Sequence, residues 1–458
     1  MAEARPRGGR IGLNLAEGNI FSTLLKFSVP ILFANLIQQL YNTVDLIIIG
    51  KFVGNIGTVG VSTGGDFVNM LTMFAVGFSA AGQVYISQLV GAGEHERAQQ
   101  TIGTLLTLLV GGSIIIGLVG IILAEPFLRV MNCPEEALSQ AKDYMIITCG
   151  GAPFVFGYTV VCAILRGMGE SKRPLLFVTI AAISNIFMDI LFVVVLKMEA
   201  AGTAWATIIA QFASFAAAFI FMYRNRDRFN FDFKLKSFAI RKEPLKVILK
   251  LGIPRSIQSA LINVTLLYCS SNINSYGMIA SATNSVGNKI TRFSNIITQS
   301  IDTGASAMIG QSLGAGKKDR AGRVVHVALA IAMIVCAVNC AAALIIPKQI
   351  FGIFTNEQEV IDFGVTFMKI SCITFITASL MGPYQAMITG IGNASLGFIV
   401  GMLDGVVLRL GISLLLTRVF DMGVLGFFYG NALARLGPVI IGMIYFYSGA
   451  WKRRKLLI

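Results

Sequence analysis

Two stretches decide the fold: QLVGAGEHERA at 88–98 and QSLGAGKKDRA at 311–321. Each follows a long apolar run and leads into another. They are 223 residues apart, and other landmarks keep that spacing. KFSVP ending at Pro30 is matched by KLGIP ending at Pro254. Asn132 is matched by Asn356, RGMGESKRPLLF from Arg166 by TGIGNASLGF from Thr389, and GTAWATIIAQ from Gly202 by GFFYGNALAR from Gly426. An offset held at 223 or 224 over five landmarks marks an internal duplication. Glycine-rich turns can cradle phosphate only between a strand and a helix. Here they follow apolar helices, so Gly91 and Gly314 are read as left-handed helix caps. No G-x-x-x-x-G-K-[ST] run supplies an ATP site.

The apolar runs set the class. Of 458 residues, 55% are hydrophobic and 13% charged, against about 25% charged in soluble domains. Runs of 20 residues or more cross a bilayer as helices. Twelve are expected: 23–53, 58–89, 99–123, 138–165, 173–197, 201–223, 245–275, 281–312, 322–346, 358–389, 395–418 and 423–448. The net charge of +14 comes from connections between spans, which argues topology rather than nucleic acid. Alternate connections and both ends carry 24 basic residues, from Arg5, Arg7 and Arg10 to Lys452–Lys455, against six on the other side. Both termini are therefore expected in the cytoplasm. The seven cysteines show no C-x-x-C pair, and Cys336 and Cys340 read as small core residues.

The expected architecture is an all-α membrane protein of two six-helix lobes. Residues 1–223 form the first, 224–244 a polar cytoplasmic linker, and 245–458 the second. Six spans return the chain to its starting side. The lobes should thus be related by a pseudo-two-fold axis along the membrane normal, with a binding cavity between them.

Ionisable residues inside spans are costly and mark function by default. Gln38, Tyr41 and Asp45 share one face of the first helix at i, i+3, i+7, and Asn185 and Asp189 lie one turn apart in the fifth. Thr207 adds a hydroxyl. Two carboxylates, an amide and a hydroxyl suit a small hard cation, or the carboxylates can share a proton. The counterparts of Asp45, Asp189 and Thr207 in the second copy are Cys269, Ser413 and Asn431. The acids are absent from the repeat, which separates them from residues that the fold alone demands. Asp66 and Lys289 occupy equivalent positions with opposite charge and, with Gln38 and Tyr41, are candidates to line a substrate cavity. Arg292, Asp302, Lys369, Asp404, Arg409 and Arg435 also fall within spans. Asp404 and Arg409 are five apart, too far for the best contact on an α-helix. Pro30 and Pro254 each remove a backbone hydrogen bond inside a long helix and are candidate bends.

The doubled Q-x-[VL]-G-A-G-x-x-x-R-A motif, the paired K-[FL]-[SG]-[VI]-P starts and YNTVDLIIIGKFVG at 41–54 resemble the multidrug and toxic compound extrusion (MATE) transporters of bacteria. The resemblance covers nearly the whole chain, from about Leu24 to Tyr447. It implies a multi-pass inner-membrane protein that exports drugs or metabolites, often organic cations, against protons or sodium ions. It places the cation site at Asp45, Asn185, Asp189 and Thr207, with sodium at the two aspartates one possibility, and Gln38 and Tyr41 beside it. It calls for no cofactor and no nucleic acid, and the chain is expected as a monomer in the lipid bilayer. Some members use acids in the second lobe, but the seventh span here, 245–271, has none. The alternatives are a flippase for lipid-linked precursors and an intramembrane enzyme. The two histidines, His95 and His326, sit beside charges at span ends and offer no paired catalytic motif.

Overall fold

A computed structural model describes residues 11–458. Twelve long helical rods, with a few short helices between them, occur among the described residues, and no strand does. They are α1 (Ile20–Phe52), α2 (Asn55–Ala92), α3 (His95–Ile122), α4 (Glu135–Gly150 and Ala152–Gly167), α5 (Lys172–Val195), α6 (Glu199–Arg224), α7 (Lys242–Asn274), α8 (Met278–Gly314), α9 (Lys318–Ile345), α10 (Gln358–Ile391), α11 (Ala394–Arg418) and α12 (Val424–Tyr447). Nine are long and apolar enough to cross a membrane, and α4 makes a tenth. The remaining two, α7 and α8, have the length, at 33 and 37 residues, but a more polar composition. The span expected at 138–165 is not straight: α4 bends by 50° between Gly150 and Ala152.

The doubled motif ends α2 and α8 in the same way, with one correction. Gly91 lies inside α2 and Gly314 is the last residue of α8. The second glycine of each motif makes the left-handed turn: Gly93 at φ 77° and Gly316 at φ 75°. A side chain is strained at such an angle, so this position demands glycine.

The chain forms two compact units. Among the described residues, unit 1 comprises 11–14 and Val29–Ile253; unit 2 comprises Leu15–Ser28 and Pro254–Ile458. The crossings therefore fall inside α1 and α7, directly before Pro30 and at Pro254, rather than in the 224–244 segment. Unit 1 is centred on Ile86, Ile102, Leu105, Val160, Ile164, Phe177 and Met222. Unit 2 is centred on Ile273, Phe351, Phe367, Met368, Phe375, Phe427 and Phe428. Close approach in unit 1 depends on small residues, as expected where lipid gives helices no hydrophobic reason to associate. At Gly64 of α2, a Cβ would lie 2.9 Å from the Ala141 carbonyl of α4.

The 224–244 segment packs onto α3. Phe229 and Phe231 are buried, and Phe231 meets Phe233 and Phe238 edge-on with ring centroids 4.9 and 5.2 Å apart. The Phe238 carbonyl accepts from Thr107 Oγ1 at 2.6 Å, and the Arg241 amide donates to Thr104 Oγ1 at 3.0 Å. Both threonines are on α3, so the linker is part of unit 1.

The arginine of each doubled motif clamps the chain at the start of the rod that then crosses into the other unit. Arg320, buried in unit 2, donates to the carbonyls of Leu15, Glu17 and Gly18, just before α1. Arg97 in unit 1 pairs with Glu243, in the first turn of α7. Repetition of the motif thus reflects repetition of this anchor. Of the basic residues that set the expected orientation, Arg5, Arg7 and Arg10 lie outside the described residues.

Candidate cation site in unit 1

Asp45 stands on α1 in the part that belongs to unit 1. It is sealed along the helix by two apolar clusters. On one side Tyr41 packs with Val178 and Ala182 of α5. On the other, Ile48 and Ile49 pack with Val61, Val193 and Ala200. Asp189 and Asn185, on the intervening part of α5, meet Asp45 between these layers. Asp45 is 8% exposed, Asn185 1% and Asp189 0%. The α-helical part of α5 ends at Asp189, and the next six residues, Ile190–Val195, form a π-helical turn. Such turns shift the register of one helix face and occur frequently at functional sites.

Asp45 Oδ1, both carboxylate oxygens of Asp189, both amide atoms of Asn185 and Thr207 Oγ1 are buried without a hydrogen-bond partner among the described residues. Buried polar groups in proteins are almost always paired, because each orphan costs on the order of 1–3 kcal/mol. Ionised carboxylates only accept hydrogen bonds. Facing carboxylates therefore need what no neighbour supplies here: a proton or a cation.

Two further residues, Gln211 and Tyr144, complete the site. Gln211 of α6 donates from Nε2 to the Tyr41 hydroxyl at 3.3 Å, and its own Oε1 is an orphan. Thr207 lies one turn before it on the same face. Tyr144, on the first segment of α4, is an electrostatic neighbour of Asp45, Asp189 and Tyr41. Gln211 sits one helical turn beyond Thr207, and that spacing was the available signal. Tyr144 had none, being one polar residue in an amphipathic stretch. Gln38 is exposed and reaches the Tyr41 hydroxyl. Asp66 on α2 and Lys289 on α8 are exposed residues of different units. Neither belongs to the Asp45 cluster. Pro30 and Pro254 lie inside α1 and α7, as expected.

The MatE family profile matches residues 30–191 and again 254–415. The chain belongs to the MatE family. Its two profile copies start at Pro30 and Pro254, one residue after and at the unit crossings. Two Bacillus subtilis relatives run nearly end to end with this MatE protein. "Probable multidrug resistance protein YpnP" is 27% identical, covering 97% of this chain and 98% of its own. "Probable multidrug resistance protein YoeA" is 24% identical, covering 96% of each. Among solved structures, "MATE in the straight conformation" superposes with a TM-score of 0.91 at 20% identity, over 98% of this chain and 100% of that one. The fold is thus the MATE fold.

Proposed function

We propose that this MatE protein is a secondary exporter of small organic compounds, often cationic, that exchanges them for protons or sodium ions by alternating access. The reading rests above all on one observation: a sealed cluster in which Asp45 Oδ1 and both Asp189 carboxylate oxygens are buried without a hydrogen-bond partner among the described residues. The multidrug names of its relatives support the substrate class. In the proposed cycle, a cation entering from outside is held by Asp45 and Asp189, with Asn185 and Thr207 as further oxygen donors. Its binding removes the repulsion between the two carboxylates and lets α1 settle against α5. Pro30 leaves the Lys26 carbonyl without its helical donor, so α1 is free to bend near its crossing between units. Pro254 does the same in α7 at the Lys250 carbonyl. Each charge that enters down the membrane potential contributes about 2.3 kcal/mol per 100 mV. In this reading the chain is a multi-pass protein of the cytoplasmic membrane with both termini inside, and the two compact units act as the two lobes.

Proteoliposomes loaded with ethidium test the proposal. Efflux should follow an imposed pH gradient or sodium gradient in the unaltered protein and lose that dependence in Asp45→Asn at equal protein abundance. Gradient-driven efflux of normal rate in the variant would refute it.

A further inference from the structure

The duplication assigns every residue of the Asp45 site a counterpart 224 positions on. Asp45 corresponds to Cys269, Asn185 to Arg409, Asp189 to Ser413, Thr207 to Asn431 and Gln211 to Arg435. Both carboxylates are gone, and two amides have become guanidinium groups. The structure brings these counterparts together within unit 2. Arg409, 5% exposed, donates from Nη1 to Asn431 Oδ1, the counterpart of Thr207. Cys269, the counterpart of Asp45, is its electrostatic neighbour. Ser413, the counterpart of Asp189, is fully buried. The guanidinium therefore sits among the groups that correspond to the cation ligands of unit 1.

A buried positive charge needs a partner. Arg409 Nη2 meets Asp404 Oδ1 at 3.2 Å, with both side chains nearly enclosed. A second contact runs from Arg409 Nε to the Asp404 carbonyl at 3.4 Å. Residues five apart do not share a face of an α-helix, but Leu403–Leu408 is a π-helical turn. Its i→i+5 hydrogen bonding places residues 404 and 409 together. Asp404 has no acidic counterpart in unit 1, where position 180 is isoleucine. Asp404 thus accompanies Arg409 and is not shared with unit 1, whose own π-turn falls farther along α5, at Ile190–Val195. Arg435 and Asp302 complete the ionisable surroundings.

We propose that Arg409 is a built-in cation: in unit 2 its guanidinium holds the place that the exchanged cation takes in unit 1, with Asp404 as its fixed counter-charge. The proposal rests on the cation reading of the Asp45 site. It means that the second copy of the ancestral site is permanently filled and does not cycle. Coupling then runs through unit 1 alone.

Chemical rescue tests this with free guanidinium ion as probe. Arg409→Ala removes the tethered cation and leaves Asp404 buried and alone. Its melting transition in detergent should fall. Millimolar guanidinium chloride should restore it, with equal sodium chloride as the control for ionic strength. The unaltered protein and the double variant D404N/R409A should show no such recovery. Absence of rescue in Arg409→Ala would overturn the proposal. Where that variant gives no folded protein, D404N/R409M supplies the reading in proteoliposomes. It removes both charges and should retain ion-driven, Asp45-dependent ethidium efflux. Loss of coupling in that variant, with a melting transition like that of the unaltered protein, would also overturn it. Failure of rescue leaves the Asp45 reading standing. Normal gradient-driven efflux in Asp45→Asn removes both.

Discussion

Arg97 and Arg320 occupy the same place in a repeated motif, yet the structure predicts unequal consequences for Arg97→Ala and Arg320→Ala. Arg320 makes four N–H···O contacts of 2.6–3.3 Å to three carbonyls. A hydrogen bond to a charged group is worth about 1.5–3 kcal/mol. The full sum overstates the loss, since Glu17 and Gly18 are exposed and water replaces the donor there. Leu15 is 0% exposed, so its carbonyl stays unsatisfied at about 1–3 kcal/mol. The net cost is roughly 2–4 kcal/mol once that discount is applied. Arg97 pairs with a Glu243 side chain that is 64% exposed. Such surface pairs contribute about 0–1 kcal/mol. Thermal melting of the purified variants in detergent measures the difference. Arg320→Ala should melt well below Arg97→Ala. Arg320→Lys should recover only part of the loss, because a point charge cannot serve three carbonyls as a guanidinium fork does. Equal shifts, or a larger one for Arg97→Ala, would refute the assignment of Arg320 as the clamp on residues 15–18.

Two further outcomes follow from the packing and the surface charges. Gly64→Val should lower the melting transition strongly because its Cβ meets the Ala141 carbonyl, whereas Gly111→Ala, which faces open space, should not. Glu125, held by Lys142 at 2.8 Å and Arg129 at 3.1 Å, keeps its carboxyl below the usual carboxylate range, chiefly through the Lys142 hydrogen bond. A depressed folded value gives stability that is present above the unfolded value, about 4.3, and is lost as pH falls through the folded one. Melting between pH 5 and 8 should therefore not differ between Glu125→Gln and the parent in its pH slope; a changed slope there would contradict the pairing.

Much of this fold was legible because duplication and hydropathy are patterns carried by many residues at once. Pro30 and Pro254, the doubled glycine motif and the acids at 45 and 189 each stood out against an apolar background. What stayed hidden depends on details that helical periodicity does not encode. The aromatic residues at 229, 231, 233 and 238 sit in a polar segment, and only their alternation hints that it folds onto α3. The pairing of Asp404 with Arg409 needs a π-turn, and nothing in LDGVVL announces one. The second glycine rather than the first caps α2 and α8, since the helix runs on until a residue with positive φ is required. The crossings inside α1 and α7 follow from where Leu15–Ser28 and Lys242–Ile253 find partners, which is a property of tertiary contact.

The central claim is that Asp45 and Asp189 hold the ion exchanged for substrate. Adding ethidium to the purified protein in weakly buffered detergent solution, with or without bound radioactive sodium, measures that exchange directly. The account predicts release of protons or of sodium on ethidium binding, and loss of that release in Asp45→Asn and in Asp189→Asn. Undiminished release from either variant would contradict it.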